Sequence, residues 1–248
     1  MSGRSAAGYP PGSMPRWPGM AGAVLALTAT SYAHVAAAGQ VNPMNTVISD
    51  YALLDTSAWA IVGGTIALAL GAVWVAYGLA RTDPVRSAAA RVLLLAGALG
   101  LLLTAVFTTD AAPGVTSVGG EIHRWSAAVV FTALPCAGWM LGRRFGNPAL
   151  SAASVLSIAL LAAFLAAHPG SLPSALIDGP DYYGLVQRLL VLGDAAVVFL
   201  AARALGDRPA GETLLAFPGR PATGVPASAQ PSAGDVPHPR EPLGLGPA

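Results

Sequence analysis

The sequence has little charge, a single cysteine and no lysine. All thirteen basic residues are arginine, and twelve acidic residues leave a net charge of +1. So balanced a composition provides no basic surface that could neutralise phosphates, which argues against nucleic-acid binding. The lone cysteine, Cys136, excludes an intramolecular disulfide and a zinc site made of several thiolates.

Motifs that mark several common enzyme classes are also missing. The sequence contains no P-loop, no Gly-rich dinucleotide-binding fingerprint, no Gly-x-Ser-x-Gly elbow and no His-Glu-x-x-His motif. Enzymes that depend on these motifs therefore lose support. Residues 17–107 and 122–205 show no convincing repeat, which weakens the case for a transporter built from inverted repeats.

Apolar residues dominate what is present. Hydrophobic side chains make up 54% of the chain and its mean hydropathy is +0.59, a balance that suits lipid better than water. A bilayer about 30 Å thick needs about 20 helical residues to cross it. Six apolar runs are candidate spans, at approximately residues 17–38, 52–80, 92–107, 122–141, 149–167 and 185–205. The sequence predicts an all-α polytopic membrane protein, a bundle of six transmembrane helices.

The predicted organisation has three parts. Residues 1–16 form a cytoplasmic N-terminal segment, residues 17–205 the six-helix transmembrane domain, and residues 206–248 a cytoplasmic tail. The tail is rich in Pro, Gly and Ala without hydrophobic periodicity, which is typical of disorder. The first apolar run ends in HVAAAG, which resembles a signal-peptide cleavage site, so removal of that run is the alternative.

The arginines are distributed unevenly between the two sides that six spans define. Arginine concentrates in short cytoplasmic loops, because its charge keeps those loops from crossing the membrane. Eleven of the thirteen fall on one side: Arg4, Arg16, Arg81, Arg86, Arg91, Arg143, Arg144, Arg203, Arg208, Arg220 and Arg240. We therefore expect a multi-pass protein of the cytoplasmic membrane with both termini in the cytoplasm.

Most of the remaining polar residues gather near the outward-facing side and suggest a polar pocket there. Ionisable side chains in or near hydrocarbon are costly, so they usually pair or face a wet cavity. The candidate substrate-binding residues are Arg188, Ser49, Asp55, Asp194, His34 and Arg124. Asp194 lies near the middle of the sixth run, where the alternative to a functional role is a protonated carboxyl bonded to another helix.

Asp110 and His123 flank the loop between the third and fourth runs and are the candidate catalytic residues. Histidine titrates near neutral pH and a carboxylate can orient its ring, so the two would act as an acid/base pair. Arg188 would hold an anionic group and would pair with Asp110 or Asp55. The alternative is structural: Asp110 caps or ends a helix, and His123 and Arg124 lie in the headgroup region.

No cofactor follows from the sequence. His34 and His123 would be the axial ligands if the protein were a haem electron carrier, which is one alternative. Nothing in the spacing of His, Asp and Glu singles out a metal site, and none is predicted.

The leading hypothesis is an enzyme or binding protein for a lipid-like or isoprenoid molecule, and a structural or accessory subunit is the other alternative. The expected partners are the bilayer and that molecule, while the oligomeric state stays open.

Three short motifs resemble a known family. They are NPMNTVISDY after the first run, FTTD after the third, and GEIHRWSA at the start of the fourth. Over roughly residues 20–205 the chain resembles the DUF998 family of bacterial and archaeal integral membrane proteins. Ser49, Asp110, Gly120 and His123 match that family's pattern, whereas Thr108 stands where the family often has Pro. The resemblance implies a six-helix membrane domain and no established activity.

Overall fold

The computed structural model describes residues 15–111 and 115–206, and within them the fold is all-α. Six long helices account for most of this part: α1 (Trp17–Ala36), α2 (Ala58–Thr82), α3 (Ala88–Val106), α4 (Val118–Phe145), α5 (Pro148–Ala167) and α6 (Tyr183–Gly206). Three short 3-10 helices lie in the loops, at Ile48–Leu53, Ser174–Leu176 and Gly179–Asp181. The predicted N-terminal segment, apart from its last two residues, and the predicted tail beyond residue 206 lie outside the described residues.

Five of the long helices, α2 to α6, are long and apolar enough to cross a membrane. Helix α1 has 20 residues, which gives it a length of about 30 Å at 1.5 Å per residue, matching the hydrocarbon core. It packs along α2 and α6 in the same bundle. The predicted class, an all-α multi-pass membrane protein, is confirmed, with five helices qualifying by composition and α1 joining them by its packing.

Two of the helix boundaries that differ from the predicted ones do so because the backbone finds local partners. The second run was expected to begin near residue 52, but a separate 3-10 helix occupies Ile48–Leu53 and α2 begins at Ala58. Ser117 starts α4 four residues early, since its Oγ accepts a hydrogen bond from the Gly120 N–H at 3.0 Å. Such caps satisfy backbone groups that hydropathy does not register.

Small residues let neighbouring helices pack closely and antiparallel. A Cβ on Gly22 of α1 would lie 2.9 Å from the Gly71 Cα of α2, and one on Gly100 of α3 would lie 2.8 Å from the Ser126 carbonyl of α4. Each helix contacts its neighbour along the chain, and α6 closes the ring by contacting α1. Helix α6 also contacts α2 and α4, so it lies at the centre of the bundle.

The alternation of direction gives the bundle two chemically different ends. The arginine end carries the first residues of α1, α3 and α5 and the last residues of α2, α4 and α6. Its described basic residues are Arg16, Arg81, Arg86, Arg91, Arg143, Arg144 and Arg203. There the Arg144 Nε donates a hydrogen bond of 2.6 Å to the buried carboxylate of Asp83. The opposite end, called the loop end below, is formed by residues 37–57, 107–111, 115–117 and 168–182.

Candidate functional site

Arg188 is the centre of a polar cluster at the loop end. Its Nε donates to His34 Nε2 at 2.6 Å, and its Nη2 donates to the Tyr51 hydroxyl at 2.8 Å. Its Nη1 donates to the Thr46 carbonyl at 2.6 Å and to the Gly184 carbonyl at 2.8 Å. The guanidinium also lies over the Tyr51 ring, 5.3 Å from its centroid. The cluster therefore joins α1, the loop before α2, and α6.

The partners of His34 fix the form of its ring. Arginine can only donate, so His34 Nε2 must accept the hydrogen bond from Arg188. The Thr30 carbonyl can only accept, so His34 Nδ1 must donate across the 2.8 Å that separates the two atoms. Both contacts are satisfied together when the ring is neutral and carries its proton on Nδ1. Neither nitrogen is then free to bind iron, which removes support from the haem alternative.

The expected ion pair between Arg188 and Asp110 or Asp55 is not formed. Within the described residues Arg188 makes no salt bridge, and its four hydrogen bonds go to neutral acceptors. Asp110 instead pairs with Arg124, and Asp55 is exposed in the turn before α2. The position of Asp55 in the sequence suggested that it contacts Arg188, but the structure shows no such contact.

The loop before α2 is also tied to α6 by contacts that do not involve Arg188. The buried Gln187 accepts a hydrogen bond of 2.5 Å from the Ile48 N–H through its Oε1, and the Leu185 N–H donates to the Met44 carbonyl at 2.9 Å. Gly184 permits this approach, because a Cβ there would collide with the Thr46 carbonyl and lie 2.8 Å from Arg188 Nη1. Gln187 and Gly184 were not among the predicted site residues.

Asp110 lies in a compact hydrogen-bonded turn. Its Oδ1 accepts from the Ser117 hydroxyl at 2.6 Å and from the Ser117 N–H at 3.1 Å, while Arg124 Nη1 donates to its Oδ2 at 3.1 Å. Its side chain is only 7% exposed, and a Cβ on Gly120 would overlap its carboxylate. The hydrogen bond from the Ser117 hydroxyl, aided by the Ser117 N–H and the charge of Arg124, lowers the pKa of Asp110.

The His123 ring forms its hydrogen bond with the backbone and not with Asp110. Its Nδ1 lies 2.8 Å from the Phe107 carbonyl, to which it donates. No hydrogen bond joins Asp110 to His123 in the described part of the chain, although each one fastens the same loop. Arg124 bridges Asp110 and Glu121, with its Nη2 2.6 Å from Glu121 Oε1. Asp110 and His123 are therefore not hydrogen-bonded to each other as the acid/base hypothesis expected, and Asp110 and Arg124 are bonded within the turn.

Asp50 is a site residue that sequence reasoning missed. It lies in the 3-10 helix Ile48–Leu53, one residue after Ser49, and burial raises its pKa. The neighbouring His123, the backbone of Val47 and the charge of Arg188 act in the opposite direction. Asp50 therefore lies close enough to His123 and Arg188 for both to influence its carboxyl group. In the sequence Asp50 stands out only by its position in the segment Ser-Asp-Tyr, and such a segment is also typical of a helix cap.

Asp194 is fully enclosed in the middle of α6. Its side chain is 1% exposed, and Ser157 of α5 lies beside it. Neither carboxyl oxygen has a hydrogen bond of normal geometry within the described residues. Its position is separate from the Arg188 cluster, so the structure does not bring it together with the other predicted substrate-binding residues.

An internal cavity of about 120 Å³ opens between α1, α2, α3, α4 and α6. Ser49, Thr108, His123 and Gln187 line it at the loop end, and three threonines, Thr30, Thr65 and Thr104, lie further along its wall. Ala26, Leu68, Leu101 and Phe131 are among the apolar residues that line it. His123 Nε2 makes no hydrogen bond within the described residues, so it is available to a molecule in the cavity. Arg188 does not line this cavity, but it lines a groove on the other side of Ile48.

The described residues contain no cluster of side chains that could bind a metal ion. No group of three or more His, Cys, Asp or Glu side chains there is arranged to hold a metal ion. A ligand at the loop end could form hydrogen bonds with neutral and charged side chains and could occupy the partly polar cavity.

These features define a multi-pass α-helical membrane protein with a partly buried polar cluster at one end of the bundle. Residues 20–204 match the model of a family described as "Protein of unknown function (DUF998)", and the chain belongs to that family. The resemblance drawn from the three short motifs is confirmed. No curated protein and no solved structure matches the chain.

Proposed function

We propose that this protein binds a small amphiphilic or lipid-like molecule in the cavity between α1, α2, α3, α4 and α6. The observation that carries the proposal is the polarity gradient along the cavity wall. Ser49, His123 and Gln187 provide hydrogen-bonding groups at the loop end, and Leu68 and Phe131 provide an apolar wall. A concave apolar site with a few placed polar groups is the usual form of a small-molecule pocket.

The size of the cavity limits what it holds. A void of about 150 Å³ in a protein core accommodates one benzene ring, so about 120 Å³ fits a ring or a short chain segment. The ligand would enter with one polar group against His123 or Gln187. Any longer chain would leave the cavity and run between the helices.

Binding is better supported than acid/base catalysis by Asp110 and His123. The carboxylate of Asp110 is occupied by Ser117 and Arg124, and His123 Nδ1 is occupied by the Phe107 carbonyl. What remains for a ligand is His123 Nε2, which can accept a hydrogen bond from a hydroxyl. Haem binding and a purely accessory role have no comparable observation in their favour.

Photolabelling of the purified protein in detergent with an octanol that carries a diazirine tests this proposal. We expect adducts, mapped by peptide mass spectrometry, in residues 61–68 and 123–131, and we expect excess unlabelled octanol to suppress them. Ala127 lines the cavity, so Ala127→Trp should abolish this labelling. Ala128, its exposed neighbour on α4, gives the matched control Ala128→Trp, which should leave labelling unchanged.

A third variant separates the polar end from the apolar wall. His123→Ala removes the free Nε2 and leaves the apolar wall in place, so labelling should weaken and need a higher octanol concentration. Adducts spread over lipid-facing residues, with no difference between Ala127→Trp and Ala128→Trp, would show that the cavity binds nothing.

A further inference from the structure

The groove between α1 and α6 on the outside of the bundle has the chemistry of a lipid-binding site. It measures about 340 Å³, and its polar end contains His34, Arg188 and Ser31. Deeper toward the middle of the bundle its walls are Leu27 and Leu192. A charged group at one end and aliphatic side chains along the rest match an amphiphile with its head at the loop end.

Within the described residues Arg188 forms four hydrogen bonds but no ion pair. Four of the five guanidinium N–H groups donate to His34, Thr46, Gly184 and Tyr51, all of them neutral acceptors. The fifth, on Nη2, has no partner within the described residues. Asp50 interacts with Arg188 through its charge but forms no ion pair with it. One donor and a largely uncompensated positive charge thus remain beside the groove.

The depth of Arg188 fits a headgroup phosphate. It is the sixth residue of α6, so it lies about 8 Å along the axis from Tyr183, while Leu192 lies about 6 Å deeper at 1.5 Å per residue. Arginine binds phosphate oxygens through charge-assisted hydrogen bonds, which are stronger than neutral ones. An acyl chain attached to that phosphate would run past Leu27 and Leu192.

We propose that the groove between α1 and α6 binds an anionic phospholipid, with its phosphate at Arg188 and an acyl chain along Leu27 and Leu192. The site is distinct from the internal cavity, although Thr30, Ile48 and Val191 line both. Because the groove faces the outside of the bundle, its occupation does not depend on the cavity being filled.

Native mass spectrometry of the delipidated full-length chain with phosphatidylglycerol, phosphatidylcholine or inorganic phosphate tests the assignment. We expect phosphatidylglycerol to be retained about tenfold more strongly than phosphatidylcholine, because the choline cation of phosphatidylcholine offsets its phosphate charge, whereas phosphatidylglycerol keeps a net negative charge to balance that of Arg188. Leu192→Trp fills the groove and should remove this preference. The control is Leu189→Trp on the same helix, since Leu189 is similarly exposed, at 42% against 49%, but lies outside the groove.

Arg188→Gln keeps a hydrogen-bond donor but removes the charge, so it should bind the two lipids equally if it folds. If it does not fold, the Leu192 and Leu189 variants still decide the result, because neither side chain takes part in the hydrogen bonds of Arg188. Equal retention of both lipids by the wild type would overturn the assignment. So would displacement of phosphatidylglycerol by millimolar inorganic phosphate, which would indicate a site for a soluble anion. Neither result would affect octanol labelling of the internal cavity.

Discussion

Two carboxylates at the loop end, Asp50 and Asp110, respond to their surroundings in opposite ways. Asp110 accepts three hydrogen bonds, two from Ser117 and one from Arg124. Asp50 is partly buried, and burial is the largest influence on it. A hydrogen-bonded carboxylate favours its charged form, whereas a desolvated one favours its protonated form. The two residues should therefore give opposite dependences of stability on pH.

Asp110→Asn should destabilise the protein at neutral pH. The pKa of Asp110 is lowered in the folded state, so its contribution to stability is present above the unfolded value of about 3.9 and is lost as the pH falls through the folded value. Thermal unfolding in detergent at several pH values should show a gap between wild type and variant at pH 7. That gap should close on acidification, and a gap of constant size would contradict the lowered pKa.

Asp50→Asn should show the opposite trend. Burial raises the pKa of Asp50, so the wild type has the full contribution of the protonated form below about pH 3.9 and loses it as the pH rises through the folded value. The variant cannot ionise and loses nothing. Its melting temperature relative to wild type should therefore increase from pH 4 to pH 7 in the same assay. An unchanged difference would mean that Asp50 is solvated.

At the scale of single residues, the sequence predicted which positions are unusual but not how they pair. Asp110, His123 and Arg188 all proved to be engaged at the loop end. Their partners are mainly backbone carbonyls and short polar side chains, which carry no periodic signal. The sequence suggested Asp55, and not Asp50, as a site residue, whereas the fold partly buries Asp50 in the 3-10 helix Ile48–Leu53 and leaves Asp55 exposed.

At the scale of elements, hydropathy predicts helices well because each run must satisfy its own backbone in lipid. It says little about the loops, where the fold gains its specific contacts. The connection between α1 and α2 is fastened to α6 through Met44, Thr46 and Ile48, residues distant in the sequence from Leu185, Arg188 and Gln187. Such contacts depend on the arrangement of the helices and so cannot be read from either segment alone.

Gly184→Ala should loosen this connection. The added Cβ would collide with the Thr46 carbonyl and lie 2.9 Å from the Asn45 carbonyl carbon, so the loop or α6 must move. Overpacking of this kind costs about 1–3 kcal/mol, more than the gain of about 1 kcal/mol that alanine brings to a helix. The free energy of unfolding in mixed micelles should fall, and proteolysis within residues 42–51 should accelerate.

Gly63→Ala provides the matched control for Gly184→Ala. Gly63 lies within α2, and a Cβ there would have no neighbour within 4 Å. The substitution should leave stability unchanged or raise it by up to about 1 kcal/mol through helix propensity. Equal effects of the two substitutions would show that the contact between Gly184 and Thr46 contributes nothing specific.

The molecule as a whole has two chemically different ends, and its orientation in the membrane decides which compartment the cavity and the groove face. The arginine end collects seven described arginines, whereas only Arg124 and Arg188 belong to the loop end. Both of those are occupied by hydrogen bonds within the protein. The proposed orientation, with the arginine end in the cytoplasm, follows from the bias of arginine toward cytoplasmic loops. It would open the cavity and the groove toward the outer leaflet.

Cysteine labelling in intact cells tests this orientation with two matched substitutions. In a Cys136→Ser background, Val85→Cys places a thiol at the arginine end and Val115→Cys places one at the loop end, at positions 84% and 53% exposed. A membrane-impermeant maleimide should label Val115→Cys directly and Val85→Cys only after permeabilisation. The reverse pattern would place the Arg188 cluster in the cytoplasm, and the lipid in the groove would then come from the inner leaflet, where anionic headgroups also attract arginine.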